Sequence, residues 1–301
     1  MTGKFDRGQL AERTGPLAGR DLVSAARTHR GTVRERNEDA FVCRPDLGLF
    51  AVIDGMGGEN AGEKAAALAR QAVLDEPDPV RALRTANDRI HGMAQADSGL
   101  KGMGCVASAL RVDGGAATIG HVGDTRVYLT SKAGCEQLTR DHTIAAHRQE
   151  EEGIDERRAR DIGGRNQVTR DIGGQPRPGD EWIDRIRVDL EEEDLLLLCS
   201  DGLHGVMRNG ELFARLREAR RDKTAPETLV DSLIDLALER GTRDNVTVVA
   251  VRRLGGEKLP EAEAVARGGG SNLLAFVLFL LGLVLGYLAR GVHLWRFWEG
   301  W

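Results

Sequence analysis

The sequence predicts an α+β fold, and three observations point to it. Short apolar segments recur between Asp-Gly and Gly-Asp breaks, as strands joined by tight turns do. Helical periodicity is confined to separate stretches, after Gly58, near 80–95 and around 212–239. One run, Leu195–Cys199, is apolar at every position, so it reads as a strand buried on both faces. With 301 residues, 41% hydrophobic and 30% charged, the chain can build one large core or two small ones.

Residues 1–21 mix Gly, Arg and Pro without periodicity and read as a flexible leader; no secretory signal is recognisable there. Ser24 to Arg34 reads as an edge strand and Ala40–Cys43 as another. Between them, Arg34-Glu35-Arg36 and Glu38-Asp39 would by themselves be a solvated charge run. Leu49 to Gly58 begins as a buried strand, breaks at Asp54-Gly55 and turns through Met56-Gly57-Gly58. A carboxylate ending such a strand, with glycines allowing close backbone approach, suits a metal site; Asp-Gly alone equally marks a structural turn.

A helix from Glu59 to about Leu74 aligns Ala61, Ala65, Leu68 and Ala72. A second, Val80 to Gln95, aligns Leu83, Ala86, Ile90 and Met93. Strands follow at Cys105–Val112, Ala116–Val122 and Thr125–Thr130, with a GDTR turn presenting Asp124 at a sheet end. Residues 139–180 are charged and glycine-broken, with helices expected at Ile144–Glu152 and Asp155–Arg160. Trp182–Leu190 alternates and reads as half-buried. Leu212, Phe213 and Leu216 mark a helix. Thr224 to Glu227 has capping-box spacing ahead of another, Leu229–Glu239, closed by Gly241. Val246–Val251 is the last strand.

Carboxylates therefore recur at strand ends: Asp39, Asp54, Asp124, Asp201 and Asp244. Buried acids in that number repel one another, and each left unpaired costs several kcal/mol. Divalent cations relieve this, and an all-oxygen set without nearby His or Cys favours Mg²⁺ or Mn²⁺ over zinc. The four cysteines show no CxxC pairing, which fits a reducing compartment; Cys43 and Cys199 sit in strand sequence and read as core. A net charge of −5 gives no reason to expect nucleic acid as a partner.

The ordered series RERNEDA, DGMGG, HVGDTRVY, LTRDH, RNQVTRDIGG, CSDGL and TRDNVTVV resembles the bacterial metal-dependent protein phosphatases, the PPM family of protein phosphatase 2C type, over residues 22–253. The resemblance implies an αββα sandwich of two antiparallel sheets flanked by helices. It implies that Asp54 bridges two Mn²⁺ or Mg²⁺ ions, with the Gly55 carbonyl on the second and Asp201 and Asp244 on the first. Glu38 and Asp39 would act through bound waters, Arg34 would hold the substrate phosphate, and Asp124 with Asp201 would suit a third, looser ion. The polar segment near 144–176 would be a flap. The implied reaction is hydrolysis of phosphoserine and phosphothreonine in proteins, the products of a bacterial Ser/Thr kinase, by a metal-activated water. Two departures stand out. Met56 occupies a position where eukaryotic members carry a histidine assigned as general acid, which leaves the proton donor unassigned. Met103-Gly104-Cys105-Val106 replaces a frequent Met-Gly-Thr-Thr. His121 and His142, beside two motifs, are expected to be hydrogen-bonded structural histidines. The rival readings are a catalytically inactive phosphoprotein-binding scaffold at the membrane and a hydrolase of small phosphoesters.

Beyond the expected phosphatase domain at 22–255 and a linker at 256–272, residues 273–289 form an uncharged apolar run. At 1.5 Å per residue it spans about 26 Å, near the lower limit for a single membrane helix. The tail 290–301 carries Trp295, Phe297 and Trp298, residues that favour the headgroup layer. The expectation is an inner-membrane, single-pass protein with a cytoplasmic catalytic domain.

Overall fold

The computed structural model describes residues 21–57, 61–153, 158, 164, 167–176 and 179–255. Ten strands among them form two antiparallel five-stranded sheets. One has the order β1-β10-β9-β6-β7, built from β1 (Leu22–His29), β10 (Val246–Arg253), β9 (Leu195–Cys199), β6 (Arg126–Thr130) and β7 (Cys135–Gln137). The other has the order β2-β3-β4-β5-β8, built from β2 (Asp39–Arg44), β3 (Leu49–Met56), β4 (Gly104–Asp113), β5 (Ala116–Val122) and β8 (Asp184–Asp189). The helices are α1 (Ala61–Asp75), α2 (Pro79–Ala96), α3 (Ile144–Glu152), α4 (Asp201–His204), α5 (Asn209–Arg221) and α6 (Pro226–Glu239).

Strand alternation divides the interior into three layers. Phe50 and Val52 of β3 meet Leu196 and Leu198 of β9 and Val249 and Val251 of β10 between the sheets. The alternate residues Ala51 and Ile53 face α1 and α2, against Ala65, Ala69, Leu83 and Ile90. Leu195, Leu197 and Cys199 face the other way, onto Leu212, Leu216, Leu233 and Ile234 of α5 and α6. Helices thus cover both outer faces, the αββα arrangement, and β9 is apolar throughout because both of its faces are covered. Truncating Leu198, fully buried between the sheets, would cost about 2–5 kcal/mol.

Several elements differ from expectation. The first strand stops at His29 rather than reaching Arg34, because Gly31 turns the chain at φ +76°. Asp54 and Gly55 lie inside β3, which runs on to Met56. The GDTR turn carries the chain from β5 in one sheet to β6 in the other. Met93 lies outside the buried face of α2, whereas Leu83, Ala86 and Ile90 are within it. The Thr224 capping box does not form: Pro226, which lacks an N–H, opens α6, and Ala225 is its cap. The strand β7 has no signal in the apolar pattern. The leader, the helix expected at Asp155–Arg160, the linker, the apolar run 273–289 and the aromatic tail lie outside the described residues. Among those described, no helix is long and apolar enough to cross a membrane.

Candidate active site

Strand ends from both sheets converge at one end of the sandwich. Asp39 and Asp54 are register partners across the β2–β3 pair. Asp201 follows β9 at the start of α4, and Asp244 precedes β10, the neighbour of β9. Asp124 sits in the turn between β5 and β6 and is 6% exposed.

Burial, and then the surrounding charges of Asp39, Asp201, Asp124 and Asp244, push the Asp54 carboxyl well above the ordinary range. Burial likewise raises Asp39 to about 7, against the pull of hydroxyl bonds from Thr247 and Ser200. Asp201 is raised to about 6, by burial and then by Asp244. Asp124 is raised well above its usual value, by burial and then by Asp201. Glu38 rises as well, by burial and then by Asp244, with Arg34 opposing. Five carboxyls are thus raised, by burial first and then by the charges of neighbouring acids.

The chain from Arg30 to Asp39 is fastened to this cluster by Asn245. Its Oδ1 accepts from the Glu38 N–H at 2.8 Å, and its Nδ2 donates to the Arg30 and Arg36 carbonyls at 3.0 and 2.9 Å. The Thr32 N–H and hydroxyl both donate to the Thr242 carbonyl. Gly31 passes so close to Asp244 that a Cβ there would sit 2.1 Å from its carbonyl oxygen. On this loop Arg34 is half exposed and donates from Nη2 to Asp244 Oδ2 at 2.7 Å. Gly55 is equally confined: its N–H donates to the Glu38 carbonyl, and a Cβ would meet the Gly62 carbonyl at 2.2 Å. The Glu38 carboxylate lies against Gly62 in the first turn of α1, where helix N–H groups favour negative charge.

Arg34, Glu38, Asp39, Asp54, Gly55, Asp201 and Asp244 are therefore linked by direct contacts, register or mutual charge. Asp124 joins them through its field on Asp54 and its position beside Asp201. The His204 Nε2–H donates to the Asp124 carbonyl at 3.0 Å, tying that turn to α4. Below lies a buried ion pair, Arg126 to Asp141 at 2.6 Å, with Arg126 also donating to Asn209. His121 and His142 are structural. His121 donates from Nε2 to the Arg140 carbonyl and is depressed by burial to about 4; His142 accepts the Gly123 N–H at Nδ1. Cys43, Cys105 and Cys199 are buried, and burial pushes the Cys199 thiol up to about 12, so none supplies a thiolate.

Sequence reasoning passed over Asn245, Ser200 and Thr247. Each adjoins or lies close to a predicted acid, and Thr247 is a hydroxyl inside the apolar strand VTVVAV, which was the available signal.

The residues fit hard divalent cations. Oδ1 of Asp39 and Oδ1 of Asp201 are sealed from solvent without a hydrogen-bond partner, and the donor set is all oxygen. Among the described residues no group of three His, Cys, Asp or Glu side chains closes on a single ion position.

Sheets packed face to face with helices outside, and carboxylates gathered from the strand ends of both sheets, define the architecture of a phosphatase of the metal-dependent class. A family model described as Protein phosphatase 2C matches residues 27–174, and one described as Stage II sporulation protein E (SpoIIE) matches residues 174–254. A serine/threonine phosphatase stp of Listeria monocytogenes is 30% identical over 244 residues, 75% of this chain and 94% of that protein. The Mycobacterium tuberculosis serine/threonine phosphatase PstP/Ppp superimposes with a TM-score of 0.70 at 29% identity, over 78% of this chain and 99% of that one. The catalytic domain of PstP in complex with two manganese ions gives a TM-score of 0.68 at 30% identity, over 78% and 99%. The chain belongs to the protein phosphatase 2C family.

Proposed function

We propose that this chain is a metal-dependent protein serine/threonine phosphatase. The observation that carries the reading is the set of buried, mutually repelling carboxylates with unpartnered oxygens beside a half-exposed arginine. Asp54, the Gly55 carbonyl, Asp201 and Asp244 would hold two Mn²⁺ or Mg²⁺ ions, with Glu38 and Asp39 reaching them through water. Asp124 with Asp201 would hold a third. Bound divalent cations there supply an acidified water nucleophile and offset charge on the phosphoryl oxygens.

The chain's own residues do the rest. Asn245 and Thr242 hold the 30–38 loop so that Arg34 is presented half exposed beside Asp244. Its planar guanidinium suits a phosphate dianion, since two N–H groups can meet two oxygens in parallel. Arg34 is paired with Asp244 through Nη2, so Asp244 and a substrate phosphate would compete for the same guanidinium. Among the described residues the buried histidines His121, His142 and His204 are engaged in hydrogen bonds within the fold, and Met56 has no proton to give, so a bound water would be the donor.

The reading also includes a membrane anchor at 273–289, supported by the length and uniform apolarity of that run. The catalytic domain would then act from the cytoplasmic face on proteins phosphorylated by a Ser/Thr kinase. Turnover of phosphothreonine peptides by the purified protein in Mn²⁺ or Mg²⁺, abolished by EDTA and by Asp54→Asn, tests the activity. A protein that binds phosphopeptides without turning them over would instead be the scaffold.

A further inference from the structure

The Asp39 carboxylate is held asymmetrically. Oδ2 accepts the Ser200 hydroxyl at 2.8 Å and the Thr247 hydroxyl at 2.6 Å. Oδ1 accepts nothing and is sealed from solvent. The hydroxyl from Thr247 is the last link of a chain that can be followed backward. Asn37 Oδ1 accepts the Asp39 N–H at 3.2 Å, which orients its amide so that Nδ2 donates to Thr28 Oγ1 at 2.8 Å. The Thr28 and Thr247 hydroxyls are 2.7 Å apart, on register partners of the β1–β10 pair.

The direction of these hydrogens follows from counting. A threonine hydroxyl has one hydrogen to give. That of Thr247 goes to Asp39, so Thr28 must donate to Thr247. Ser200 Oγ accepts the Thr247 N–H at 3.0 Å and turns its own hydrogen to Asp39. Every hydrogen then points toward Oδ2. If Oδ2 were protonated and donated to Thr247, the chain would reverse, and the Thr28 hydroxyl hydrogen would have no acceptor among the described residues.

We infer that Thr28, Thr247 and Ser200 form a positioning relay that fills Oδ2 and leaves Oδ1 of Asp39 for the carboxylate cluster and the cations it would hold. The relay crosses from one sheet to the other, since Asp39 belongs to β2 and the three hydroxyls to β1, β10 and the end of β9. Two hydroxyl bonds to one ionised oxygen fix the carboxylate plane, as groups behind a metal ligand do. The inference rests on reading the acids as a divalent-cation site.

The test is Mn²⁺ titration calorimetry on the full-length protein, with melting of the metal-free form alongside. Thr247→Val keeps the shape and removes the hydroxyl; it should weaken Mn²⁺ binding about tenfold. Thr247→Ser restores the hydroxyl and should restore the affinity. Thr28→Val, one link further back, should give a smaller loss, and it keeps the test open if Thr247→Val does not fold. A merely structural role would lower the melting temperature and leave Mn²⁺ affinity alone. Affinity within twofold of wild type in both valine variants, or no recovery in Thr247→Ser, would overturn the relay. A wild-type protein that takes up no Mn²⁺ would instead remove the cation reading, and the relay with it.

Discussion

Asp39 and Asp54 stand directly opposite each other across the β2–β3 pair. Like charges in that position destabilise a sheet. Burial raises both carboxyls; the field of Asp39 adds to the rise of Asp54 and those of Asp201 and Asp244 to the rise of Asp39, and the hydroxyls on Asp39 Oδ2 offset only part of the cost. Function and stability are therefore opposed at this point of the fold.

That opposition yields the first prediction. Asp54→Asn keeps the shape and removes the charge. It should lower kcat on a phosphothreonine peptide by about 10²-fold or more, while raising the melting temperature of the EDTA-treated protein by about 2–4 °C per kcal/mol gained. A variant less stable than wild type in EDTA would contradict the repulsion.

The same acids set a pH dependence. Their folded pKa values lie above the unfolded value of 3.8, at about 7 for Asp39 and about 6 for Asp201. The native state thus binds more protons than the unfolded state in that window, and stability from these groups is lost as pH rises through it. His121, depressed from 6.5 to about 4, acts in the opposite sense but only below 6.5. From pH 6.5 to about 8 the melting temperature of the metal-free protein should therefore fall, and saturating Mn²⁺ should abolish the trend. Differential scanning calorimetry with and without EDTA reads both outcomes.

Arg34 is paired with Asp244 on an exposed loop, so the pair itself contributes little to stability. Arg34→Ala should raise KM about tenfold with kcat changed less, and Mn²⁺ affinity should be kept or slightly improved as Asp244 is released. The Arg36 carbonyl accepts from Asn245 and its guanidinium acts on Glu38 through charge alone, so Arg36→Ala should stay within about twofold of wild type. Greater damage from Arg36→Ala would reassign the phosphate-holding residue.

Asp54 and Asp201 were legible in the sequence because each lies at the end of an apolar run, where a buried charge has no structural excuse. The sandwich's helices were legible from Ala65, Leu83 and Ile90 at helical spacing, and β9 from its uninterrupted leucines. Thr247 and Asn245 were not, because a threonine in a strand reads simply as β-branched, and their partners lie some 200 residues away in the chain, 208 from Thr247 to Asp39 and 207 from Asn245 to Glu38. The capping box failed for a local reason: Pro226 favours the first helical position more strongly than Thr224 favours capping.

Asn245 can be tested through the difference between two substitutions. Asn245→Ala removes bonds to Glu38, Arg30 and Arg36, at about 1 kcal/mol each. Asn245→Asp keeps the acceptor for the Glu38 N–H but sets a carboxylate oxygen against two carbonyls. The aspartate variant should therefore be the less stable and the less active of the two. Equal damage would mean that the two Nδ2 bonds do not hold the loop.

The last prediction concerns the apolar run at 273–289, whose 17 uncharged residues lie near the lower limit of length for a bilayer helix. Arg252, Arg253, Lys258 and Arg267 precede it, while Arg290 and Arg296 follow. That balance favours an inside location for the preceding domain. The four cysteines are unpaired, as in a reducing compartment, and ATP-dependent kinases would supply the substrates on the same side. Truncation at Gly268 should release a soluble enzyme with unchanged kcat/KM on free phosphopeptides, because the carboxylate site is built from residues between Arg30 and Thr247. Activity on membrane-associated phosphoproteins should fall, since tethering raises the effective concentration of enzyme near them. Fractionation of the full-length protein decides the anchor itself. Recovery in the membrane pellet through high-salt washing, with release only by detergent, is the expected result; recovery in the supernatant at low and high salt alike would refute it.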